Sequence, residues 1–254
     1  MWDGVLWGLV QGLTEFLPVS SSGHLALVPA LLDRQGPDLA TSAVLHLGTL
    51  VAVIAYFRSD LALAARFRRE EKGRAVLRLV AIGTIPVALL GLPLEGPIDD
   101  LFTEPIWAAW ALLVTGAVLV ASRFAAAGPN TLPQARWRDA VAVGTAQVAA
   151  LVPGISRSGM TIAAGMGRRL VPTEAARFSF LLGIPAIAAG GLSQALDLSD
   201  SGGLGSEVWV ATAVAAASGY AAIAIMMRLL DRIGLGPFAW YCFALGVASI
   251  AVLA

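Results

Sequence analysis

Two short polar segments of the chain carry side chains that can bind phosphate or a metal ion. The first, QGLTEFLPVSSSGH, runs from Gln11 to His24, and the second, QVAALVPGISRSGMT, runs from Gln147 to Thr161. Both combine hydroxyl side chains with glycine, and backbone N–H groups in such turns can form a nest that binds anions. Phosphate is therefore the ligand that these segments predict.

The two segments resemble each other at a constant offset of 136 residues, which aligns Gln11 with Gln147, Ser20 with Ser156, Ser22 with Ser158 and Gly23 with Gly159. Their charged groups differ. Glu15 and His24 occur only in the first segment, and Arg157 occurs only in the second. One half of the chain thus contributes a carboxylate and an imidazole, and the other half contributes a guanidinium.

The rest of the composition is that of a membrane protein. Of the 254 residues, 57% are hydrophobic and 13% are charged, and the mean hydropathy is +0.78, whereas soluble domains are about 25% charged. The lone cysteine, Cys242, lies in an apolar stretch, so we interpret it as a packing residue. Stretches near the 20 residues needed for a membrane span predict six transmembrane helices: Ala40–Phe57, Ala75–Leu94, Pro105–Ser122, Phe178–Leu196, Val208–Met227 and Pro237–Ala254.

Basic and acidic residues are segregated along the chain, and their order predicts the topology. Basic clusters occur at 58–78, 123–138, 168–177 and 228–232, and the loops near 95–104 and 197–207 are acidic. Because basic loops favour the cytoplasmic side, we expect the basic clusters inside and both termini outside.

Internal similarity extends beyond the polar segments, since residues 37–48 align without gaps on residues 172–183. This predicts one membrane domain, 1–254, built from two repeats, 1–124 and 137–254. Three spans in each repeat make the two repeats antiparallel across the membrane, an inverted-topology arrangement found in many transporters.

The polar segments themselves are too short to cross the membrane. The run Ala140–Val152 has 13 residues, about 20 Å of helix against a hydrocarbon core of about 30 Å. We therefore predict two re-entrant helix-loop-helix hairpins, Trp2–Leu32 and Trp137–Gly167, which enter from opposite sides so that their tips can meet. The predicted fold is an all-α integral membrane protein with six transmembrane helices and these two hairpins.

Ionisable residues inside a membrane are costly, so Glu15 and Arg157 are candidates for function. A purely structural Glu15–Arg157 salt bridge is the alternative. Gln11 lies four residues before Glu15, on the same helical face, and the two could supply oxygen ligands to a divalent cation or form a hydrogen-bonded pair between helices. His24 could accept a proton from a neighbouring serine or water, or be a buried histidine with a structural bond. His46, within an apolar span, is interpreted as interior packing or as a donor that supports the site.

With these residues the chain resembles the bacterial undecaprenyl-diphosphate phosphatases of the bacitracin-resistance type. The resemblance covers essentially the whole chain and is most specific in the two polar segments. It implies a multi-pass enzyme of the bacterial plasma membrane, open to the outer face, which hydrolyses undecaprenyl diphosphate to undecaprenyl phosphate and phosphate and needs a divalent cation, Mg²⁺ or Ca²⁺. The expected partners are the polyprenyl diphosphate and membrane lipids, not nucleic acid, and a homodimer stays an open alternative.

The resemblance also implies roles for particular residues. Glu15 becomes a metal ligand or base, Arg157 the group that grips the diphosphate, and His24 the acid/base partner of a serine, with Ser21 our choice as nucleophile and direct attack by water left open. The family begins its first motif with Glu or Gln, and Gln11 lowers the charge available to a metal. Substrate binding is expected from a set of hydroxyl residues together with Arg157: Ser20, Ser22, Ser156, Ser158 and Thr161.

Two other classes of function compete with the phosphatase. An inverted repeat with re-entrant hairpins is also typical of a transporter, here of a lipid phosphate. An intramembrane serine hydrolase is the third possibility, and it is disfavoured because no second acid accompanies His24 as a catalytic triad requires.

Overall fold

The structure is a computed structural model that describes residues 2–37, 39–102, 104–125, 128–199 and 206–254. In these ranges all regular secondary structure is helical, apart from an isolated bridge between Asn130 and Leu170. The α-helices are α1 (Trp2–Phe16), α2 (Ser21–Leu32), α3 (Leu39–Tyr56), α4 (Arg58–Ala65), α5 (Glu71–Phe102), α6 (Pro105–Ala121), α7 (Trp137–Ala149), α8 (Arg157–Gly167), α9 (Pro172–Ser199), α10 (Ser206–Ile233) and α11 (Gly236–Leu253). The all-α prediction is confirmed.

Several of the helices have the length and apolarity of membrane spans. Within the described residues four qualify, namely Glu71–Gly91, Pro105–Phe124, Val208–Ile233 and Gly236–Leu253. A fifth is obtained if α3 and α4, which meet at an angle of 73°, are counted as one broken span. The remaining predicted span, Phe178–Leu196, belongs to the 28-residue helix α9, whose side chains beyond Gly191 lie outside the described part. The protein is thus a multi-pass membrane protein with four or five identified candidate spans.

Both polar segments form a helix, a loop and a second helix. The first is α1 and α2, and the second is α7 and α8, with ends that agree with the predicted Trp2–Leu32 and Trp137–Gly167. Equivalent serines cap the second helix of each hairpin, because Ser20 Oγ accepts from Gly23 N at 3.3 Å and Ser156 Oγ accepts from Gly159 N at 3.1 Å. Such caps satisfy N–H groups that lack helical partners.

Each hairpin packs against a long helix from the other half of the chain: α1 lies on α10, and α7 lies on α5. Both contacts need glycine. A Cβ atom on Gly12 would lie 2.0 Å from Ser218 Oγ, and one on Gly144 would lie 2.2 Å from the Gly83 carbonyl oxygen. Small residues of this kind let membrane helices approach closely. The hairpin tips are therefore held in the interior, between the two halves.

Ion pairs join several of the basic segments to one another. Arg177 on α9 pairs with Asp60 on α4 and, at 3.2 Å, with Glu174. Arg168 Nε donates to Asp139 Oδ1 at 2.7 Å, which ties the end of α8 to the start of α7. These ion pairs bring together segments from three of the four basic clusters or directly beside them.

Candidate active site

Glu15 and Arg157 bring the two hairpin tips together. Glu15 lies in the last turn of α1, and Arg157 is the first residue of α8. Arg157 Nη2 donates to Glu15 Oε1 at 2.9 Å, and the two side chains are only 14% and 5% exposed. With so little solvent the attraction between the two charges is weakly screened, and removing either partner would leave the other charge buried and unpaired. The two ionisable residues that the sequence singled out from opposite halves therefore form one cluster.

Three further side chains lie around the second carboxylate oxygen of Glu15. Ser21 Oγ donates to Oε2 at 2.5 Å, and Gln11 Nε2 donates to the same atom at 3.0 Å. His46 Nε2 is 3.7 Å away. Glu15 is consequently the centre of the site: its carboxylate accepts hydrogen bonds from a guanidinium, a hydroxyl and an amide, and an imidazole lies beside it.

The structure places His46 beside Glu15. Of the two interpretations that the sequence allows, interior packing or support of the site, this position favours the second. His46 Nδ1 donates to the Ser42 carbonyl oxygen at 2.7 Å, one turn earlier on α3, and this aims Nε2 at the carboxylate. The signal available in the sequence was the cost of an imidazole within an apolar span. No local motif marks it, because the contact depends on how α3 packs against α1.

Arg157 has part of its hydrogen-bonding capacity free. Its Nη1 is buried and has no hydrogen-bond partner among the described residues. The guanidinium lies against α9 at Gly183, where a Cβ atom would be only 1.9 Å from Nη1. Because glycine has no side chain, residue 183 leaves the space in which the guanidinium lies.

This contact gives a prediction for Gly183→Ala. The added methyl must displace the guanidinium, so we expect the activity of this candidate site to fall by at least about tenfold, roughly 1.4 kcal/mol in the activation barrier, while the helix itself tolerates alanine well. Steady-state kinetics on purified protein measure the effect. The matched control is Gly167→Ala, where a Cβ meets no described atom within 4 Å. Equal activities of the two variants would contradict the assigned position of Arg157.

The hydroxyl groups of the second hairpin are buried and bonded within the protein. Ser158 Oγ donates to the Leu17 carbonyl oxygen at 3.1 Å, a direct link between the two tips, and Thr161 Oγ1 lies 2.6 Å from Ser179 Oγ. Ser156, Ser158 and Thr161 are at most 1% exposed. Their geometry accounts for the shape of the loop, and their contribution to substrate binding stays a prediction.

In the first hairpin His24 and Ser21 form hydrogen bonds to different partners. His24 Nδ1 donates to the Ser20 carbonyl oxygen at 2.7 Å, and His24 Nε2 lies 2.7 Å from the hydroxyl of Tyr241 on α11. Ser21 instead donates to Glu15. Of the remaining hydroxyls, Ser20 Oγ and Ser22 Oγ lie 3.3 Å apart. The group poised to accept the proton of Ser21 is therefore the carboxylate of Glu15.

A divalent cation finds few protein ligands in this site. Within the described residues there is no group of three or more His, Cys, Asp or Glu side chains that could hold a metal ion. Gln11 Oε1, however, is buried without a hydrogen-bond partner in the same part of the chain. Mg²⁺ is usually bound through one or two carboxylates together with substrate phosphates. Glu15 and Gln11 fit a cation whose remaining ligands come from the substrate.

The structure also contains an apolar groove. It is open, has a volume of about 600 Å³, and is formed by α6 and the loop of the second hairpin. Val152 and Ile155 of that loop line the groove. Ile155 is two residues before Arg157 in the sequence. The other lining residues are Trp107, Trp110, Ala111, Leu113, Val114 and Ala117. One wall of this apolar surface is therefore close to Arg157 in the sequence.

Fold and site together define a helical, multi-pass membrane protein with an interior ionic cluster. The family model described as "Bacitracin resistance protein BacA" matches residues 4–248. The chain belongs to this family.

Individual relatives are similar over nearly the full chain. "Undecaprenyl-diphosphatase 3" of Frankia alni is 42% identical and is matched over 99% of this chain and 94% of its own length. "Undecaprenyl-diphosphatase" of Myxococcus xanthus is 40% identical over 99% of this chain and 88% of its own. The protein with the same name in Gemmatimonas aurantiaca is 41% identical over 100% and 98%.

Proposed function

We propose that this protein is a membrane phosphatase that hydrolyses undecaprenyl diphosphate to undecaprenyl phosphate and inorganic phosphate, and so recycles the lipid carrier of cell-wall synthesis. The observation that carries the proposal is the cluster in which Glu15 accepts hydrogen bonds from both Ser21 and Arg157. Membership of the family and the names of the relatives support the substrate.

Arg157 binds the diphosphate. Its planar fork can grip phosphate oxygens with two parallel N–H groups, and Nη1 is a buried donor without a described partner. A structural salt bridge with Glu15 would occupy only one side of that fork. The diphosphate supplies acceptors for the other side, which explains why an unpaired donor is retained there.

Ser21 and Glu15 carry out the proton transfer. Ser21 gives its proton to Glu15 Oε2 as Oγ attacks the terminal phosphorus, and the bond from that phosphorus to the bridging oxygen breaks, leaving undecaprenyl phosphate. Water then cleaves the phosphoserine and releases phosphate. Direct attack by a water that Glu15 orients stays the alternative. In either case Arg157 neutralises charge on the transferred group.

A divalent cation, Mg²⁺ or Ca²⁺, would be held by Glu15 and Gln11 together with substrate oxygens. When bound it supplies charge neutralisation at the phosphates. The prenyl chain is assigned to the apolar groove along α6, since Ile155 lines the groove two residues before Arg157. This arrangement would keep the diphosphate at the ionic cluster and the chain in an apolar environment.

The proposed topology consists of two inverted repeats, 1–124 and 137–254, with six spans and two re-entrant hairpins. The equivalent caps at Ser20 and Ser156 and the exchange of packing between the halves support it. The ion pairs that join the basic segments favour a shared cytoplasmic end. The site would then open to the outer face of the plasma membrane. Whether two chains associate into a homodimer is left to measurement.

The experiment that tests this function also separates an enzyme from a carrier. Purified protein in detergent has no second compartment, so a transporter of lipid phosphate would release no inorganic phosphate from undecaprenyl diphosphate. We expect release in the presence of Mg²⁺ or Ca²⁺ and its suppression by chelator. If folded protein releases no inorganic phosphate with metal present, the transporter would be favoured instead.

A further inference from the structure

Tyr241 connects the second half of the chain to the tip of the first hairpin. It lies on α11, and its hydroxyl is 2.7 Å from His24 Nε2. The two ring planes are within 2° of parallel, with centroids 5.6 Å apart. His24 is only 4% exposed, whereas Tyr241 is 46% exposed. Tyr241 is thus the partner that holds one edge of a buried imidazole.

The partners of His24 fix which nitrogen carries the proton. A carbonyl oxygen can only accept a hydrogen bond, so Nδ1, 2.7 Å from the Ser20 oxygen, must be the donor. In the neutral ring Nε2 is then an acceptor, and the phenol of Tyr241 donates to it. The two contacts together leave the imidazole one orientation.

His24 in turn supports a strained turn. Ser20 has a φ of 69°, a left-handed conformation that non-glycine residues adopt only at a cost. Its carbonyl oxygen accepts from both the backbone N of His24, at 3.1 Å, and the ring Nδ1. The next residue is Ser21, whose hydroxyl reaches Glu15. The orientation of the Ser20 carbonyl therefore helps to set the direction of Ser21.

We propose that Tyr241 is a positioning residue for the phosphatase reaction, because its phenol orients His24, which holds the Ser20 turn and with it the hydroxyl of Ser21 against Glu15. The inference rests on the proposed function and adds a residue from the last helix to the site. It gives His24 a task that differs from accepting the proton of Ser21.

Tyr241→Phe tests the inference by removing one hydroxyl at nearly constant volume. We expect kcat to fall by at least about fivefold and KM for undecaprenyl diphosphate to stay within about twofold, because the lost interaction orients a reacting group and does not bind the lipid. The matched control is Tyr220→Phe. Tyr220 is similarly exposed, at 42%, and its ring packs against Tyr56. Equal activities of the two variants would overturn the proposal.

A double-mutant cycle shows whether Tyr241 acts through His24. If it does, Tyr241→Phe has no further effect in a His24→Ala background, because the group it orients is already gone. Multiplicative losses of activity in the double variant would mean that the phenol acts elsewhere, and they would refute the proposed route.

Nitrogen NMR of the histidine rings measures the contact without relying on activity. The chain has two histidines, so a His46→Gln background leaves His24 as the one imidazole. We expect a protonated Nδ1, and we expect Tyr241→Phe to move the Nε2 resonance downfield, toward a nitrogen that accepts no hydrogen bond. An unmoved resonance refutes the Tyr241 contact itself, whereas absent phosphate release by wild-type protein refutes the proposed function.

Discussion

Glu15→Gln is expected to reduce phosphate release from undecaprenyl diphosphate by at least about 1,000-fold, roughly 4 kcal/mol in the activation barrier. The amide keeps the size of the side chain but is a far weaker acceptor for the proton of Ser21, whose hydroxyl lies 2.5 Å from Glu15 Oε2. It is also a poorer ligand for a hard cation. The dependence on divalent metal should therefore largely disappear along with the activity. Steady-state kinetics with Mg²⁺, Ca²⁺ and chelator measure both effects.

The control for this variant must separate chemistry from folding, because removing one partner of a buried ion pair can destabilise a protein. Asp139→Asn offers the comparison. Asp139 pairs with Arg168 at 2.7 Å near the start of α7, about 15 Å of helix from the hairpin tip. We expect that variant to keep nearly full activity. A loss as large as that of Glu15→Gln would mean that hairpin ion pairs act through stability, and the catalytic role of Glu15 would fail.

Arg157→Lys is expected to lower kcat/KM by at least about tenfold, or roughly 1.4 kcal/mol. Lysine retains the positive charge but has a single ammonium group, which cannot both reach Glu15 Oε1 and present a second planar donor to phosphate. The space beside Gly183 that Arg157 Nη1 fills would be empty in this variant. Kinetics over a range of lipid concentrations measure the loss, which should affect KM as well as kcat because the proposed role of Arg157 is to bind the diphosphate throughout the reaction.

Arg168→Lys is the matched control, since Arg168 ends the same helix at a distance of about 16 Å along its axis. There the cation bonds Asp139 outside the hairpin tips, so near-normal kinetics are expected. Near-normal turnover by folded Arg157→Lys would identify the Glu15–Arg157 pair as structural, the alternative that the sequence left open.

Much of the site was predictable because its signals are local. A buried carboxylate and a buried guanidinium are costly enough to be informative by themselves, and Pro18 and Pro153 mark the loops between the hairpin helices. The outer ends of the two helix pairs agree with the structure to the residue, and their re-entrant course stays a proposal. The pairing of Glu15 with Arg157 required only that the tips meet.

The remaining contacts depend on helix packing, which no local motif records. His46 reaches Glu15 from α3, and Tyr241 reaches His24 across 217 positions of sequence. A tyrosine in an apolar helix carries no local sign of a polar partner. The helix at Ala40–Phe57 was predicted with its ends nearly right. The sharp bend into α4 was not predicted, because hydropathy reports the length and apolarity of a segment and not its direction.

The central claim is that Glu15 acts in the chemical step at a site that also binds the diphosphate. It is tested most directly by a single-turnover experiment with enzyme in excess over undecaprenyl diphosphate labelled with ³²P in the terminal phosphate. The account predicts that wild-type protein releases labelled phosphate, whereas Glu15→Gln still binds the lipid and leaves the diphosphate intact. Release of labelled phosphate by Glu15→Gln at the wild-type rate would contradict it.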